Sequence, residues 1–162
     1  MFWLKTLSFG PGHRTRTDVI LLIMEKILVG SFILACVGVT IEVLLTAATN
    51  FYKKRDTRLK GYSYVWMLPI YGLAYPLFVW LWPMISGWNI VARGILYLVL
   101  LFAVEYLSGW LLRKLIGKCP WEEQYKGKKW SINNLVRLDY EPGWFVVALL
   151  FERLYLFIDK IK

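Results

Sequence analysis

Three long apolar runs constrain the fold of this chain more than any other feature of its sequence. A helix needs about 20 apolar residues to cross the hydrocarbon core of a bilayer, so runs of this length decide the class of protein. They are "ILVGSFILACVGVTIEVLLTAATNF", "YVWMLPIYGLAYPLFVWLWPMIS" and "NIVARGILYLVLLFAVEYLSGWLLRKLI", over residues 27–51, 64–86 and 89–116. A shorter fourth run, over residues 142–158, is interrupted by Glu152 and Arg153.

The runs are continuous instead of alternating, and the chain is 58% hydrophobic, more than a soluble domain of this size usually is. Helices are therefore expected, because open β-sheet edges cannot face lipid. The predicted fold is all-α: an integral membrane bundle of four transmembrane helices in a single domain, residues 27–158. Residues 1–26 are predicted to form an N-terminal interfacial segment with aromatic anchors and the start of a helix, which Thr17 or Asp18 caps.

Basic residues concentrate in two of the connections between the runs. Five of the twenty follow the first run and seven follow the third: Lys53, Lys54, Arg55, Arg58 and Lys60, then Arg113, Lys114, Lys118, Lys126, Lys128, Lys129 and Arg137. The positive-inside rule predicts that both connections are cytoplasmic, and four spans then put both termini outside. The plasma membrane is the default location and membrane lipid the expected partner. Nucleic acid is not expected, because these charges flank helices and do not tile a groove-reading face.

Glu42, Glu105 and Glu152 each lie inside an apolar run. Counted from the cytoplasmic ends of the helices, all three are about 13–17 Å deep, near the middle of a core about 30 Å thick. A charge at that depth costs about 2.5–3.5 kcal/mol and usually faces the bundle interior. We therefore expect one cluster of three carboxylates, with Arg153 as a partial counter-ion and Tyr71 as a hydrogen-bonding neighbour. Repulsion inside such a cluster favours a bound proton or cation.

Three interpretations of this cluster stay open. It binds a cation, a proton or a polar lipid headgroup in a transport or ligand-binding protein. Alternatively, paired carboxylates act as general acid and base in an intramembrane enzyme whose substrate is a lipid. In the third interpretation, the acids only fix helix packing in a structural or regulatory subunit.

Other motifs narrow these interpretations. The sequence has no Gly-rich phosphate loop, nucleophile elbow or HExxH motif, so a function other than catalysis is favoured. Its two cysteines and single histidine are isolated, so no metal site or cofactor is expected. The polar segment 117–141, which follows the helix-ending Gly117 and Pro120, is expected to lie along the cytoplasmic membrane surface, with docking of a partner as the alternative.

Three segments together resemble a known family: "LKGYSYVWMLPIYGL", "VEYLSGWLLRKLIGKCPW" and "EPGWFVVALLFERLY", at residues 59–73, 104–121 and 141–155. They are similar to the family labelled "putative ABC-transporter type IV", or CmpB-like, and to the small eukaryotic proteins of the transmembrane protein 229 group. The resemblance implies a transporter component. Its motif positions here are Glu42, Gly61, Tyr71, Gly72, Glu105, Gly109, Glu152 and Arg153, with Cys119, Pro120 and Trp121 forming a motif on the cytoplasmic side.

The chain departs from the eukaryotic proteins at Val79, where they carry an acidic residue late in the second span. Four short spans make a small bundle. A chain of this kind that transports is therefore expected to act as a homo-oligomer or with a separate ATPase subunit.

Overall fold

The computed structural model describes residues 15–161 and is predominantly helical, as predicted. Its elements in chain order are α1 (Arg16–Lys54), α2 (Met67–Gly72), α3 (Ala74–Ile85), α4 (Ile90–Ile116), α5 (Glu122–Tyr125), the strands β1 (Ser131–Ile132) and β2 (Val136–Arg137), a 3-10 helix (Leu138–Tyr140) and α6 (Glu141–Lys160). The two strands form a short antiparallel hairpin. The interfacial segment predicted at the N-terminus falls on residues 1–14, outside the described residues.

Three of the described helices are long and apolar enough to cross a membrane: α1, the combined α2–α3 unit (Met67–Ile85) and α4. They correspond to the first three predicted spans. The fourth predicted span coincides with α6, which is 20 residues long but carries Glu152 and Arg153 near its middle. Although α6 is less apolar, it packs against α1, α3 and α4 and completes a four-helix arrangement.

Helix α1 begins earlier than the sequence predicted. Its N-cap is Thr15, whose hydroxyl accepts from the Asp18 N–H at 3.3 Å while the Asp18 carboxylate accepts from the Thr15 N–H at 2.8 Å. This capping box satisfies the first free N–H groups of the helix, so the predicted caps Thr17 and Asp18 are wrong. With 39 residues, α1 is about 58 Å long, roughly twice the thickness of the hydrocarbon core.

A proline interrupts the helix of the second apolar run. Pro76 has no N–H to donate to the Gly72 carbonyl, and the helix is broken at Leu73. The Leu73 N–H still bonds to the Pro69 carbonyl at 3.0 Å, and the Leu77 N–H bonds to the Leu73 carbonyl at 3.2 Å. The run therefore continues as one unit, α2–α3.

Glycines on α1 make room for tyrosines of α2 and α3. A Cβ on Gly38 would overlap the ring of Tyr71, and one on Gly30 would overlap the ring of Tyr75. Small residues at helix contacts are common in membrane proteins, because lipid offers no hydrophobic drive for association and close packing has to replace it. These two contacts bring the Tyr71 side chain into the centre of the bundle.

The bundle has two ends that differ in charge. The turn end carries the short connection 86–89, together with an ion pair of 2.9 Å between Lys26 Nζ and Asp159 Oδ1 that joins α1 to α6. The basic end carries the connections 55–66 and 117–140. The first of these runs back along α1, where a Cβ on Gly61 would overlap the Val43 carbonyl oxygen.

The second basic connection, residues 117–140, forms a cap on the basic end. It folds back on α4. Cys119, Trp121 and Leu135 close around Gly109, where an added Cβ would lie 3.0–3.2 Å from their side chains. Trp121 is buried, and its indole Nε1 donates to the Leu135 carbonyl at 2.8 Å.

The glycine contacts predict a stability difference. Gly38→Ala should lower the free energy of unfolding by about 1–3 kcal/mol, because the Tyr71 ring has to move. Denaturant titration in mixed micelles measures this change. Gly87→Ala is the matched control, since nothing lies within 4 Å of its Cβ position. Equal losses in both variants would contradict the packing described here.

Candidate functional site

A cavity of about 120 Å³ lies between α1, α2–α3, α4 and α6. Most of its lining is apolar, including Phe78 and Phe151. The lining side chains that carry oxygen belong to two glutamates and three tyrosines: Glu42, Glu105, Tyr71, Tyr97 and Tyr125. No lysine or arginine lines the cavity among the described residues. The cavity therefore combines an apolar wall with negative or hydrogen-bonding groups.

Glu42 projects from α1 and is held by two hydroxyl donors. Ser63 Oγ donates to Glu42 Oε2 at 2.7 Å, and Tyr71 Oη donates to the same oxygen at 3.1 Å. Ser63 can reach it because the first basic connection runs back along α1, where the Tyr62 N–H bonds to Thr46 Oγ1 at 2.9 Å. The backbone of this connection thus fixes one side of the site.

Glu105 projects from α4 and is held by the cap. Tyr125 Oη donates to Glu105 Oε1 at 2.9 Å, and the neighbouring Gln124 Nε2 donates to Tyr64 Oη at 2.6 Å. Burial, reinforced by the nearby Glu105 carboxylate, raises the pKa of the Tyr125 hydroxyl far above its usual range. Tyr125 therefore stays protonated and keeps its role as a donor at physiological pH.

The two cavity carboxylates have no basic partner. In the described part of the chain, neither Glu42 nor Glu105 makes an ion pair, and their hydrogen bonds come from Ser63, Tyr71 and Tyr125. Each carboxylate uses one oxygen in these bonds and retains acceptor capacity on the other. A ligand that supplies positive charge or hydrogen-bond donors would complete the site.

Glu152 occupies a different site, nearer the turn end. Its carboxylate accepts two bonds from Arg93, at 2.7 Å from Nε and 3.1 Å from Nη2, and one from Tyr97 Oη at 2.6 Å. Arg93 also donates to the Trp88 carbonyl and lies 5.5 Å from the ring centroid of Trp82. Glu152 is fully buried; the Arg93 guanidinium neutralises its charge, and both carboxylate oxygens accept hydrogen bonds.

The prediction of a single cluster of three carboxylates is therefore wrong. Arg93, the partner of Glu152, lies twelve residues before Glu105 on α4, which corresponds to about 18 Å along the helix. The structure brings Glu42, Glu105 and Tyr71 to one cavity and separates Glu152 from them. Arg153 is exposed on α6 and is not the counter-ion of Glu152, because successive helical residues point about 100° apart.

The motif on the cytoplasmic side, Cys119, Pro120 and Trp121, lies in the cap. Cys119 and Trp121 are buried against Gly109, and Pro120 separates them. These residues position α5 directly after them, and α5 in turn presents Tyr125 to Glu105. They support the cavity from outside and are not among its lining residues.

Sequence reasoning missed Arg93, Ser63 and Tyr125. Arg93 could have been recognised from the sequence, because it is a charged residue inside the third apolar run and a charge there needs a partner. Ser63 and Tyr125 lie in polar connections, where nothing in the sequence distinguishes them from their neighbours. Within residues 15–161, no three His, Cys, Asp or Glu side chains are grouped as metal ligands would be.

The buried ion pair predicts a strong coupling between α4 and α6. Glu152→Gln should lower the free energy of unfolding by about 3–5 kcal/mol, because Arg93 then keeps a buried charge without a partner. The double variant Arg93→Met, Glu152→Leu should regain much of that loss in denaturant titrations. Asp56→Asn, which removes a partner of the exposed Arg58, is the control and should change stability little. Additive losses at positions 93 and 152 would contradict the coupling.

Cys119 should react slowly with thiol reagents. Burial raises the pKa of its thiol to about 11, and the side chain is 2% exposed. In a Cys36→Ala background, a water-soluble maleimide should label the protein slowly at neutral pH and faster as the pH rises towards that pKa, because the thiolate is the reactive form. Trp121→Ala should accelerate labelling by uncovering the thiol. Rapid labelling of Cys119 in the Cys36→Ala protein with Trp121 intact would contradict this burial.

Comparison with known proteins places this architecture in a family. The model of the family described as "Putative ABC-transporter type IV" matches residues 30–160, which include the cavity, the Arg93–Glu152 pair and the cap. No solved structure shows a significant match to the chain. Because the match covers most of the chain and three helices have membrane-spanning length, the chain is a transport-related membrane protein of the family "Putative ABC-transporter type IV".

Proposed function

We propose that the cavity binds an amphiphile with a cationic group and an apolar body, as the ligand of a transport process. The observation that carries this proposal is the pair Glu42 and Glu105, two carboxylates without a basic partner in the lining of a mostly apolar cavity. A cation placed between them would supply the charge that the protein does not. Aromatic lining such as Phe78 and Phe151 would add attraction to the cation or contact with the apolar body.

The charge of the lining limits the chemistry of the ligand. Lipids with a phosphate headgroup fit poorly, because their phosphate would meet two carboxylates and no arginine or lysine of the lining. Lipophilic amines without phosphate fit the site better. A small metal cation fits less well than an amine, because it would leave the apolar walls unused.

The packing of the helices suggests where a ligand would enter the cavity from the bilayer. α3 packs on α1 and α6, and α4 packs on α6 and α2. The backbones of α3 and α4 approach each other less closely, and the two helices meet through the side chains of Phe78 and Tyr97 and of Trp82 and Arg93. Both helices contribute lining residues, among them Phe78 from α3 and Leu101 from α4. We therefore propose that an apolar ligand exchanges with the bilayer between α3 and α4.

The placement in the membrane belongs to the same proposal. We take α6 as a fourth span, since its 20 residues measure about 30 Å and its Glu152 is neutralised by Arg93. If Asn89 and Lys26 mark one boundary at the turn end, about 20 residues further lead to Trp110 on α4 and Thr46 on α1. A tryptophan at such a boundary is typical. Glu42 and Glu105 would then lie about 6–8 Å inside the other boundary, near the headgroups and not at the midplane.

The basic end would face the cytoplasm of a plasma membrane by the positive-inside rule, with both termini on the opposite side. Transport by so small a bundle would require a second copy of the chain or a separate ATPase subunit. The packing interpretation suits Glu152, whose partner is internal. It does not account for Glu42 and Glu105, and no observation favours the enzyme interpretation.

Native mass spectrometry from mild detergent tests the ligand with three probes of equal chain length: dodecylamine, dodecanol and dodecanoate. We expect a retained dodecylamine adduct on the wild-type protein and at least tenfold weaker binding in Glu105→Gln, equivalent to about 1.4 kcal/mol. The same spectra report bound copies or subunits.

Glu123→Gln is the matched control, because Glu123 is an exposed glutamate of α5 outside the cavity. It should bind dodecylamine like the wild type. Equal binding of dodecanoate and dodecylamine would overturn the proposal, and so would a Glu105→Gln variant that binds as tightly as the wild type.

A further inference from the structure

We infer that the cap carries a binding surface for anionic lipid headgroups, formed by the loop of residues 126–132. This lysine loop contains Lys126, Lys128, Lys129, Trp130 and Ile132 and connects α5 to the β-hairpin. It does not line the cavity. The inference rests on the membrane placement proposed above and not on the identity of the cavity ligand.

The charge of the cap is left uncompensated on this loop. Lys126, Lys128 and Lys129 are all exposed. The cap has three acidic side chains: Glu122 pairs with Arg113 at 3.0 Å, Asp139 pairs with Arg137, and the exposed Glu123 makes no ion pair with the lysines of the loop. The loop therefore presents three positive charges that internal pairing does not neutralise, and an anionic surface is complementary to it.

The loop also exposes apolar groups among its lysines. Trp130 is 57% exposed and Ile132 is 45% exposed, although each adjoins polar residues. The Lys129 ammonium lies 5.6 Å from the centroid of the Trp130 ring. A tryptophan beside lysines suits the boundary between headgroups and acyl chains, because the ring prefers that zone and the ammonium groups reach the phosphates.

Hydrogen bonds hold the loop at the level of this boundary. Asn133 Nδ2, directly after the loop, donates to Tyr106 Oη at 2.9 Å, and Tyr106 lies one helical turn before Trp110 on α4. The Leu138 N–H bonds to the Trp130 carbonyl at 2.9 Å and fixes the other side of the hairpin. The hairpin that carries Trp130 is thus tied to α4 close to Trp110, the residue that marks the boundary in the proposed placement.

Hydrogen–deuterium exchange of the full chain in nanodiscs tests this surface. One set of discs contains phosphatidylcholine alone, and the other also contains phosphatidylglycerol. We expect amide exchange over residues 126–132 to slow about fivefold or more with the anionic lipid, the factor that a single lysine contributes near such a surface. Exchange within α4 should not respond to lipid charge.

The triple variant Lys126→Gln, Lys128→Gln, Lys129→Gln should lose this slowing. A matched triple variant, Lys53→Gln, Lys54→Gln, Lys60→Gln, removes the same charge from exposed lysines at the end of α1 and in the connection 55–66, and it should retain the slowing. Wild-type exchange that is identical in both lipids would overturn the inference and favour a soluble partner for the loop. Retained slowing in the first triple variant would overturn it as well. The wild-type comparison between the two lipids decides the question even if a variant folds poorly. A failure of the cavity to bind dodecylamine would not affect the inference about the lysine loop.

Discussion

Every carboxylate placed inside hydrocarbon needs a cation, a proton or a polar cavity, since an isolated charge there costs about 2.5–3.5 kcal/mol or more. The fold meets this requirement in two ways. Glu152 receives an internal cation, Arg93, with a bidentate geometry and a third bond from Tyr97. Glu42 and Glu105 receive only hydroxyl donors and face a cavity. The difference separates a site that holds helices together from one that is open to a ligand.

Much of the fold could be predicted from apolar length alone. A long run without a breaker forms a helix, and Gly117 ends α4 with a left-handed backbone conformation, φ 80°. The start of α1 was less predictable, because Thr15, Thr17 and Asp18 are all suitable caps. The reciprocal bonds between Thr15 and Asp18 select the first of them.

The candidate site was harder to predict because depth along a helix does not say which helices are neighbours. Counting residues from one end grouped Glu152 with Glu42 and Glu105, whereas Glu152 forms an ion pair with Arg93 at a site nearer the turn end. Tyr71 was expected as a hydrogen-bonding neighbour of the acids from its depth along the second span, and its hydroxyl does donate to Glu42. Tyr125 could not be foreseen, since its position depends on the cap folding back to Gly109.

The order of synthesis has a consequence for the Arg93–Glu152 pair. Helix α4 leaves the ribosome before α6, so Arg93 enters the bilayer while its carboxylate partner does not yet exist. Near the turn end, its long side chain can reach the interface until α6 arrives. In the proposed placement, α6 carries charges near its middle and inserts beside a guanidinium that is already in the membrane. The placement therefore implies that Arg93 assists the integration of α6, and that a chain truncated after α4 would leave Arg93 without its partner.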